Sequence, residues 1–179
     1  MRVITGSARG RKLLAPENYD IRPTTDNVKE SIFNIIQFDI EGRRVLDLFA
    51  GTGQLGIECL SRGAESAVFV DQDREAVRIV KDNLKACGLK GTVIQQDAKT
   101  FLHSCSPFDI IFVDPPYDSN LYETVLETVN SIDLLTDGGI MVCESRRERA
   151  MPEMVAPYKK RREYNYGRVK LCLYVKEKD

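Results

Sequence analysis

The run Asp47-Leu48-Phe49-Ala50-Gly51-Thr52-Gly53-Gln54-Leu55-Gly56 constrains this chain more than any other stretch. It overlaps a short, apolar, β-prone run, Val45 to Phe49, which follows the polar residues Glu41 to Arg44, and it opens a helical pattern. A strand, a glycine-rich turn and a helix in that order let the backbone approach a ligand closely and point helix N–H groups at it. Gly51, Gly53 and Gly56 satisfy G-x-G-x-x-G, and an acid, Asp71, follows about 20 residues on, as the dinucleotide fingerprint requires. The first expectation is a nucleoside-containing cofactor.

Residues outside the glycines select the cofactor. Asp47 lies inside the strand, four places before Gly51, where a carboxylate repels a pyrophosphate and attracts an amino group. That favours S-adenosylmethionine over NAD. The Asp-x-Phe-x-Gly-x-Gly pattern is similar to the first motif of Rossmann-like methyltransferases, whose acid lies near the methionine end of the cofactor. Asp71, at the end of the apolar run Ala67 to Val70, would then accept from the ribose hydroxyls, with Gln72 next to it. Phe49, Ala50, Gly51 and Gly53 complete the expected cofactor loop.

A chain of 179 residues is expected to be one domain, able to bury roughly two-thirds of its unfolded surface. No apolar run approaches the roughly 20 residues of a membrane span, and the N-terminus lacks the apolar core of a signal peptide. Cys59, Cys87, Cys105, Cys143 and Cys172 are scattered without a C-x-x-C pair, and His103 is the one histidine. These features argue against a zinc site or a disulfide framework, assign those residues to structure, and fit a cytoplasmic protein with no membrane or metal role. The net charge of −1 gives no global field for a polyanion, so a nucleic-acid role must rest on local patches. Three exist: Arg2, Arg9, Arg11 and Lys12; Arg146-Arg147-Glu148-Arg149; and Lys159-Lys160-Arg161-Arg162. A solvated surface is the commoner explanation of any one run, but three together tilt the reading towards RNA or DNA.

Along the chain, residues 2 to 15 read as a β-hairpin turning at Gly6 to Gly10, an appendage to the main domain, and Thr24 or Thr25 caps a helix carrying Val28, Ile32, Ile35 and Ile36. Arg22-Pro23-Thr24 is placed to reach a cofactor or substrate phosphate. Beyond the glycine loop, helix Leu55 to Arg62, strand Ala67 to Val70, helix Arg74 to Cys87 closed by Gly88, and strand Thr92 to Gln95 alternate. Alternation of this kind predicts a mainly parallel, doubly wound α/β sheet with ligands beyond the carboxyl ends of its strands. Asp97-Ala98 is expected at such an end, with Asp97 accepting from the adenine amine, capping a helix, or both. The turn Asp137-Gly138-Gly139 leads to strand Ile140 to Cys143; a hairpin turn at Tyr164 to Arg168 precedes an antiparallel strand, Val169 to Val175. Tyr164 and Tyr166 read as edge-strand packing.

Strand Asp109 to Val113 ends in Asp114-Pro115-Pro116-Tyr117. Two prolines stiffen the loop and remove two donors, leaving carbonyl acceptors. Such a loop suits the exocyclic amino group of a nucleobase. The nitrogen gains positive charge as a methyl group is transferred to it, and a fixed Asp114 carboxylate and Pro115 carbonyl stabilise that charge. Tyr117 offers a face on which the base stacks, worth about 1–3 kcal/mol. A rigid strand-to-helix turn accounts for the prolines but not for the acid and aromatic flanking them.

The sequence resembles the RsmD-type family of bacterial 16S ribosomal RNA (guanine-N2) methyltransferases over essentially its whole length. The resemblance is carried by Arg2-Val3-Ile4-Thr5-Gly6 with Gly10-Arg11-Lys12-Leu13, Arg22-Pro23-Thr24 with Val28-Lys29-Glu30-Ser31, Asp47 to Gly53, and Asp114-Pro115-Pro116-Tyr117. Gln54 departs from the small residue expected after the second glycine. Membership implies a Rossmann-like class I S-adenosylmethionine-dependent methyltransferase domain, residues 21–179, with a small N-terminal β-hairpin extension, residues 1–20, in contact with RNA. It implies methylation of N2 of one guanine, position 966 in the usual RNA numbering, in the assembled or assembling 30S subunit, while a monomer is simply the default expectation. Asp114, Pro115, Pro116 and Tyr117 would be catalytic. Asp47, Phe49, Ala50, Gly51, Gly53, Asp71, Gln72, Asp97, Ala98, Arg22 and Thr24 would hold the cofactor, and Arg2, Arg9, Arg11 and Lys12 the RNA. Methyltransferases of another RNA, DNA adenine or protein glutamine share the Pro-Pro-Tyr chemistry, although a DNA enzyme usually needs a recognition domain. An NAD-dependent reductase is disfavoured by Asp47, and a non-catalytic assembly factor of the same fold by the intact Asp114 to Tyr117.

Overall fold

The computed structural model describes residues 1–16, 26–116 and 120–178. Arg22, Thr24 and Tyr117, and the expected cap of the first helix, lie outside the described residues. The elements in chain order are α1 (Asp26–Ile35), β1 (Arg44–Asp47), α2 (Gln54–Ser61), β2 (Ser66–Asp71), α3 (Arg74–Cys87), β3 (Thr92–Gln95), α4 (Ala98–Leu102), β4 (Phe108–Val113), α5 (Leu121–Ser131), β5 (Leu135–Arg146), β6 (Tyr158–Tyr166) and β7 (Val169–Lys176). They build one seven-stranded sheet in the order β3-β2-β1-β4-β5-β7-β6. β1 to β5 pair in parallel; β7 runs antiparallel to β5, and β6 antiparallel to β7. This is the expected doubly wound sheet with an antiparallel end.

Strand side chains alternate between the two faces and so feed two cores. Val45, Ile110, Phe112, Ile140, Val142, Leu171 and Leu173 pack on one face with Ile32 and Phe33 of α1, Ile57 of α2 and Val80 of α3. Leu46, Ile111, Val113, Met141, Cys143, Cys172 and Tyr174 pack on the other with Phe101 of α4 and Tyr122 and Leu126 of α5. Near-continuous apolar runs such as Val45-Leu46 are what a strand covered on both faces requires. α3 starts at Asp73, whose side chain accepts from the Glu75 N–H at 2.7 Å, and stops at Gly88 in the left-handed region, as expected from its sequence.

Three elements differ from the sequence expectation. β1 ends at Asp47 rather than Phe49, because Leu48 to Gly53 already form the turn; Leu48 N–H still donates to Phe112 O (3.2 Å) and Ala50 N–H to Val70 O (3.0 Å). The turn at Asp137 to Gly139 interrupts no strand: β5 runs from Leu135 to Arg146, and the irregularity lies in its pairing, since Phe108 faces Leu135 while Ile110 faces Ile140. β6 showed in the sequence only at its end, as the edge-strand packing of Tyr164 and Tyr166; the expected turn at Tyr164 to Arg168 narrows to Gly167-Arg168, and the charged run Lys159 to Arg162 is part of the edge strand. Charged edge strands resist unwanted pairing at the cost of the usual apolar pattern.

The N-terminal residues turn back on themselves through one antiparallel bridge, Arg2 to Lys12. Val3, Ala8 and Leu13 are buried in the first core. Gly6 (φ 90°) sits so close to the end of α2 that a Cβ there would lie 1.8 Å from Ser61 O. The segment is also fixed by charge. Glu58, fully buried in α2, accepts from Ile4 N–H (2.8 Å) and Thr5 N–H (2.9 Å) and pairs with Lys29 Nζ (3.1 Å) and Arg62 Nε (2.9 Å). Lys29 Nζ donates in turn to Arg2 O at 3.0 Å. No helix among the described residues is long and apolar enough to cross a membrane.

Candidate active site

The parallel strands bring their carboxyl ends to one edge of the sheet, and β1 is central there. Asp47, its last residue, lies level with Phe69 of β2 and Phe112 of β4. The turn after it is held on both sides. Asp71, ending β2, takes the Gly51 N–H on Oδ2 and the Asp73 N–H on Oδ1, both at 2.9 Å. Gly53 caps α2 at φ 76° with no side-chain cap, and Asp47 Oδ2 reaches past it to accept from Gly56 N–H at 3.0 Å. Gly56 itself serves packing, since a Cβ there would lie 2.4 Å from the Phe69 ring. Thr52 O accepts from Asn83 Nδ2 (2.9 Å), so α3 also grips the loop.

Most of the expected site residues converge on this edge. Phe49 is half-buried against the second core and Ala50 is buried. Gln72, exposed just after β2, offers its carbonyl to Gln95 Nε2 at 3.4 Å. Asp97 accepts from Thr100 N–H (3.0 Å) and Thr100 Oγ1 (3.2 Å), which makes it the N-cap of α4, with Ala98 buried behind it. Asp114 follows β4 directly and is half-buried, with Pro115 buried and Pro116 exposed. Arg2, Arg9, Arg11 and Lys12 are exposed on the N-terminal segment, and its bridged end, with Arg2 and Lys12, lies by the glycine turn: Met1 Sδ accepts from Thr52 Oγ1 (3.4 Å), and Leu14 N–H donates to Oδ1 of Asn83 (2.7 Å), the residue that grips Thr52 O. The opposite end, the turn that carries Arg9, is anchored at Ser61, where Ser7 N–H donates to Ser61 O (2.8 Å) and Ala8 N–H to Ser61 Oγ (2.9 Å). That is the end of the eight-residue α2 remote from Gly53, about 12 Å away along the helix. Gln54 is buried, and its Oε1 has no hydrogen-bond partner among the described residues.

Electrostatics single out the centre of the edge. Burial pushes the Asp47 carboxyl up to about 7; the Gly56 N–H opposes this and the Asp71 charge adds to it. The Asp114 carboxyl is raised well above the usual range, by burial first and then by the charges of Glu144 and Asp47. Glu144 was not singled out in the sequence. It is buried on β5, one residue past Cys143, which pairs with Val113. The signal was there: an acid directly after an apolar strand, as at Asp47, Asp71 and Asp114. Three carboxylates in low dielectric repel one another, and a ligand bearing positive charge relieves that repulsion. S-adenosylmethionine carries a sulfonium and an ammonium, so this donor set fits it. Asp71, with both oxygens engaged, keeps acceptor capacity for hydroxyls, because a carboxylate offers about four lone-pair sites.

A family model described as conserved hypothetical protein 95 matches residues 1–175. The chain is 43% identical over 182 aligned positions to a putative rRNA methyltransferase, YlbH, of Bacillus subtilis, covering 98% of this chain and 99% of that one. It is 36% identical to ribosomal RNA small subunit methyltransferase D of Escherichia coli K12, over 99% of this chain and 90% of the relative. A solved structure titled putative methyltransferase yhhF, from Escherichia coli, superposes with a TM-score of 0.90 at 35% identity, covering 100% of this chain and 99% of that one. Likeness that runs the full length of both chains, at this identity and with the same fold, makes the protein a member of the ribosomal RNA small subunit methyltransferase D family.

Proposed function

We propose that this protein transfers a methyl group from S-adenosylmethionine to the exocyclic N2 of one guanine, position 966, of 16S rRNA. That it is an S-adenosylmethionine-dependent methyltransferase of ribosomal RNA follows from its family. The atom, the position, the 30S subunit as substrate, the cytoplasm as its place of work and a monomeric enzyme go further. The observation that carries the reading is the adjacency of two loops: Asp47 and its glycine turn end β1, and Asp114-Pro115-Pro116 leaves the neighbouring β4 two residues beyond Phe112, which lies level with Asp47.

In this reading Asp47, Phe49, Ala50, Gly51 and Gly53 hold the methionine end, Asp71 and Gln72 the ribose, and Asp97 and Ala98 the adenine, with Arg22 and Thr24 completing the site. Bound there, S-adenosylmethionine supplies an electrophilic methyl group on a positively charged sulfur. The remaining work belongs to the chain. Positive charge arriving at the edge favours the ionised Asp114, the form that accepts hydrogen bonds. Asp114 and the Pro115 carbonyl hold the two N–H bonds of the guanine amine and aim its lone pair, while Tyr117 stacks on the base that leaves its helix. Asp114 orients the amine and does not deprotonate it before attack; the proton in excess after the N–C bond forms lies within its reach. Fixed acceptors of this kind need no reorganisation as the nitrogen becomes positive.

The test is methyl transfer from labelled S-adenosylmethionine to small subunits from cells lacking the protein, with naked 16S RNA and DNA in parallel, followed by nucleoside analysis. N2-methylguanosine at position 966 is the expected product. Asp114→Ala is expected to lower turnover by about 10²- to 10³-fold, the usual cost of one preorganised stabilising group, with cofactor affinity retained. Incorporation into DNA or protein but no RNA, by an enzyme that binds the cofactor, would overturn the ribosomal substrate; unchanged turnover in Asp114→Ala would remove Asp114 from the chemistry.

A further inference from the structure

If the substrate is rRNA, some surface must grip its phosphates, and the antiparallel end of the sheet presents one at the catalytic edge. β5 continues two residues past Glu144 to Arg146, which faces Val169 of β7, and Val169 faces Tyr166 of β6. The turn Gly167-Arg168 therefore projects from the same edge as Asp114. It is tied to the exit of β5: Arg147 N–H donates to Arg168 O (2.9 Å) and Arg147 Nη1 to Gly167 O (3.5 Å). Arg146, Arg147 and Arg168 are all exposed. From strand spacing and rise, Arg146 lies roughly 8 Å and Arg168 roughly 16 Å from Asp114, the range over which nucleotides flanking a bound base run.

Several cations of the basic runs outside this cluster make side-chain contacts of their own. Arg149 makes a two-pronged pair with Glu123 (2.8 Å to each oxygen) and covers the Tyr122 ring at 4.5 Å. Lys159 pairs with Glu177, and Lys160 with Glu153 and Glu163. Arg162 lies over Tyr164, itself packed on the first core. Arg9 sits in the turn at the remote end of α2. Exposed Glu148 is the acid within the Arg146 to Arg149 run and leaves the patch positive.

We propose that Arg146, Arg147 and Arg168 form the surface that docks the RNA backbone beside the target guanine, an assignment that rests on the rRNA reading above. Guanidinium forks match phosphate oxygens in pairs and fix register without reading sequence. A chain of near-zero net charge thereby obtains a local cationic field where it is needed.

The experiment compares wild type, the triple variant Arg146→Gln/Arg147→Gln/Arg168→Gln, and the control Arg9→Gln/Arg11→Gln. Three readouts apply: S-adenosylmethionine affinity, 16S RNA binding across a salt series, and kcat and KM on small subunits. The triple variant should keep cofactor affinity, which reports its folding, and kcat. Its RNA affinity should fall about tenfold or more, and its plot of log affinity against log salt should flatten by about 2, near 0.7 per lost contact to single-stranded RNA. The control should change each by less. Wild-type affinity and salt slope in the triple variant would overturn the proposal, as would a loss confined to subunits with naked RNA binding intact, which would assign the patch to a ribosomal protein. A wild type that binds cofactor yet methylates no RNA would instead refute the rRNA reading, an outcome the salt series separates from the other two.

Discussion

Two regions of this molecule bury carboxylates, and they do so in opposite ways. Glu58 shares its oxygens among two cations and two backbone N–H groups, with the side chains of both Glu58 and Lys29 fully enclosed. Burial lowers the Lys29 pKa, and the Glu58 charge opposes that shift. Asp47 and Asp114, on the strand edge, are pushed upward by burial and by neighbouring acids together, with the Gly56 N–H the opposing influence on Asp47. The first arrangement is complete within the chain and ties the N-terminal segment to α2. The second is costly until positive charge arrives, which is the property of a binding site for a cationic ligand.

Neutralising one acid in each region should therefore move stability in opposite directions. Glu58→Gln leaves the ammonium of Lys29 buried without its counter-charge, and breaking a buried pair from one side costs about 3–5 kcal/mol. Thermal unfolding at pH 7 should fall by roughly 10 °C, at about 2–4 °C per kcal/mol for a chain of this size. The double variant Lys29→Met/Glu58→Leu should recover part of the loss, because it removes the stranded charge. A Glu58→Gln protein as stable as wild type would erase the distinction between the two regions.

Asp47→Asn should instead stabilise the protein without its ligand. The Asp47 carboxyl titrates near 7 in the folded chain against an ordinary value of 3.8. Below about pH 4 the group is protonated both folded and unfolded and costs nothing. Between pH 4 and 7 the unfolded chain ionises first, so wild-type stability falls; above 7 the cost is constant. It amounts to about 4 kcal/mol at most. Asparagine keeps an acceptor for Gly56 N–H and removes the charge. The gain in melting temperature should be absent at pH 4 and several degrees at pH 8; equal gains at both would mean that charge is not its source.

The contrast also explains what the sequence disclosed. The cofactor edge is local: strand, glycines and acid fall within ten residues of Asp47, and Asp114-Pro115-Pro116 follows its strand without a gap, so short patterns reveal both. The ion pair joins Lys29 to Glu58 across two elements, and its only trace is a charged residue on the apolar face of each helix, Lys29 beside Val28 and Ile32, Glu58 between Ile57 and Cys59. The N-terminal stretch reads as a surface hairpin for the same reason, since its anchors on Ser61 and Glu58 lie more than fifty residues away. Most of β6 escapes the pattern search because edge position replaces its apolar alternation with charge.

The finest test of the comparison is the pH dependence of cofactor binding. A cation bound beside Asp47 favours the ionised carboxylate, so binding must expel the proton that Asp47 carries below pH 7. Each unit of pH below that point should weaken wild-type binding about tenfold through this group alone, or about 1.4 kcal/mol. Asp114 titrates in the same site and is raised in part by the Asp47 charge, so a comparison of wild type with Asp47→Asn reports that charge both directly and through Asp114. The informative quantity is the ratio of their S-adenosylmethionine affinities, measured by calorimetry from pH 5 to 8. That ratio should climb with pH up to about 7 in favour of wild type and then level off. A ratio independent of pH would mean that the Asp47 charge never meets the ligand, and the glycine turn would then bind its cofactor through backbone and ribose contacts alone.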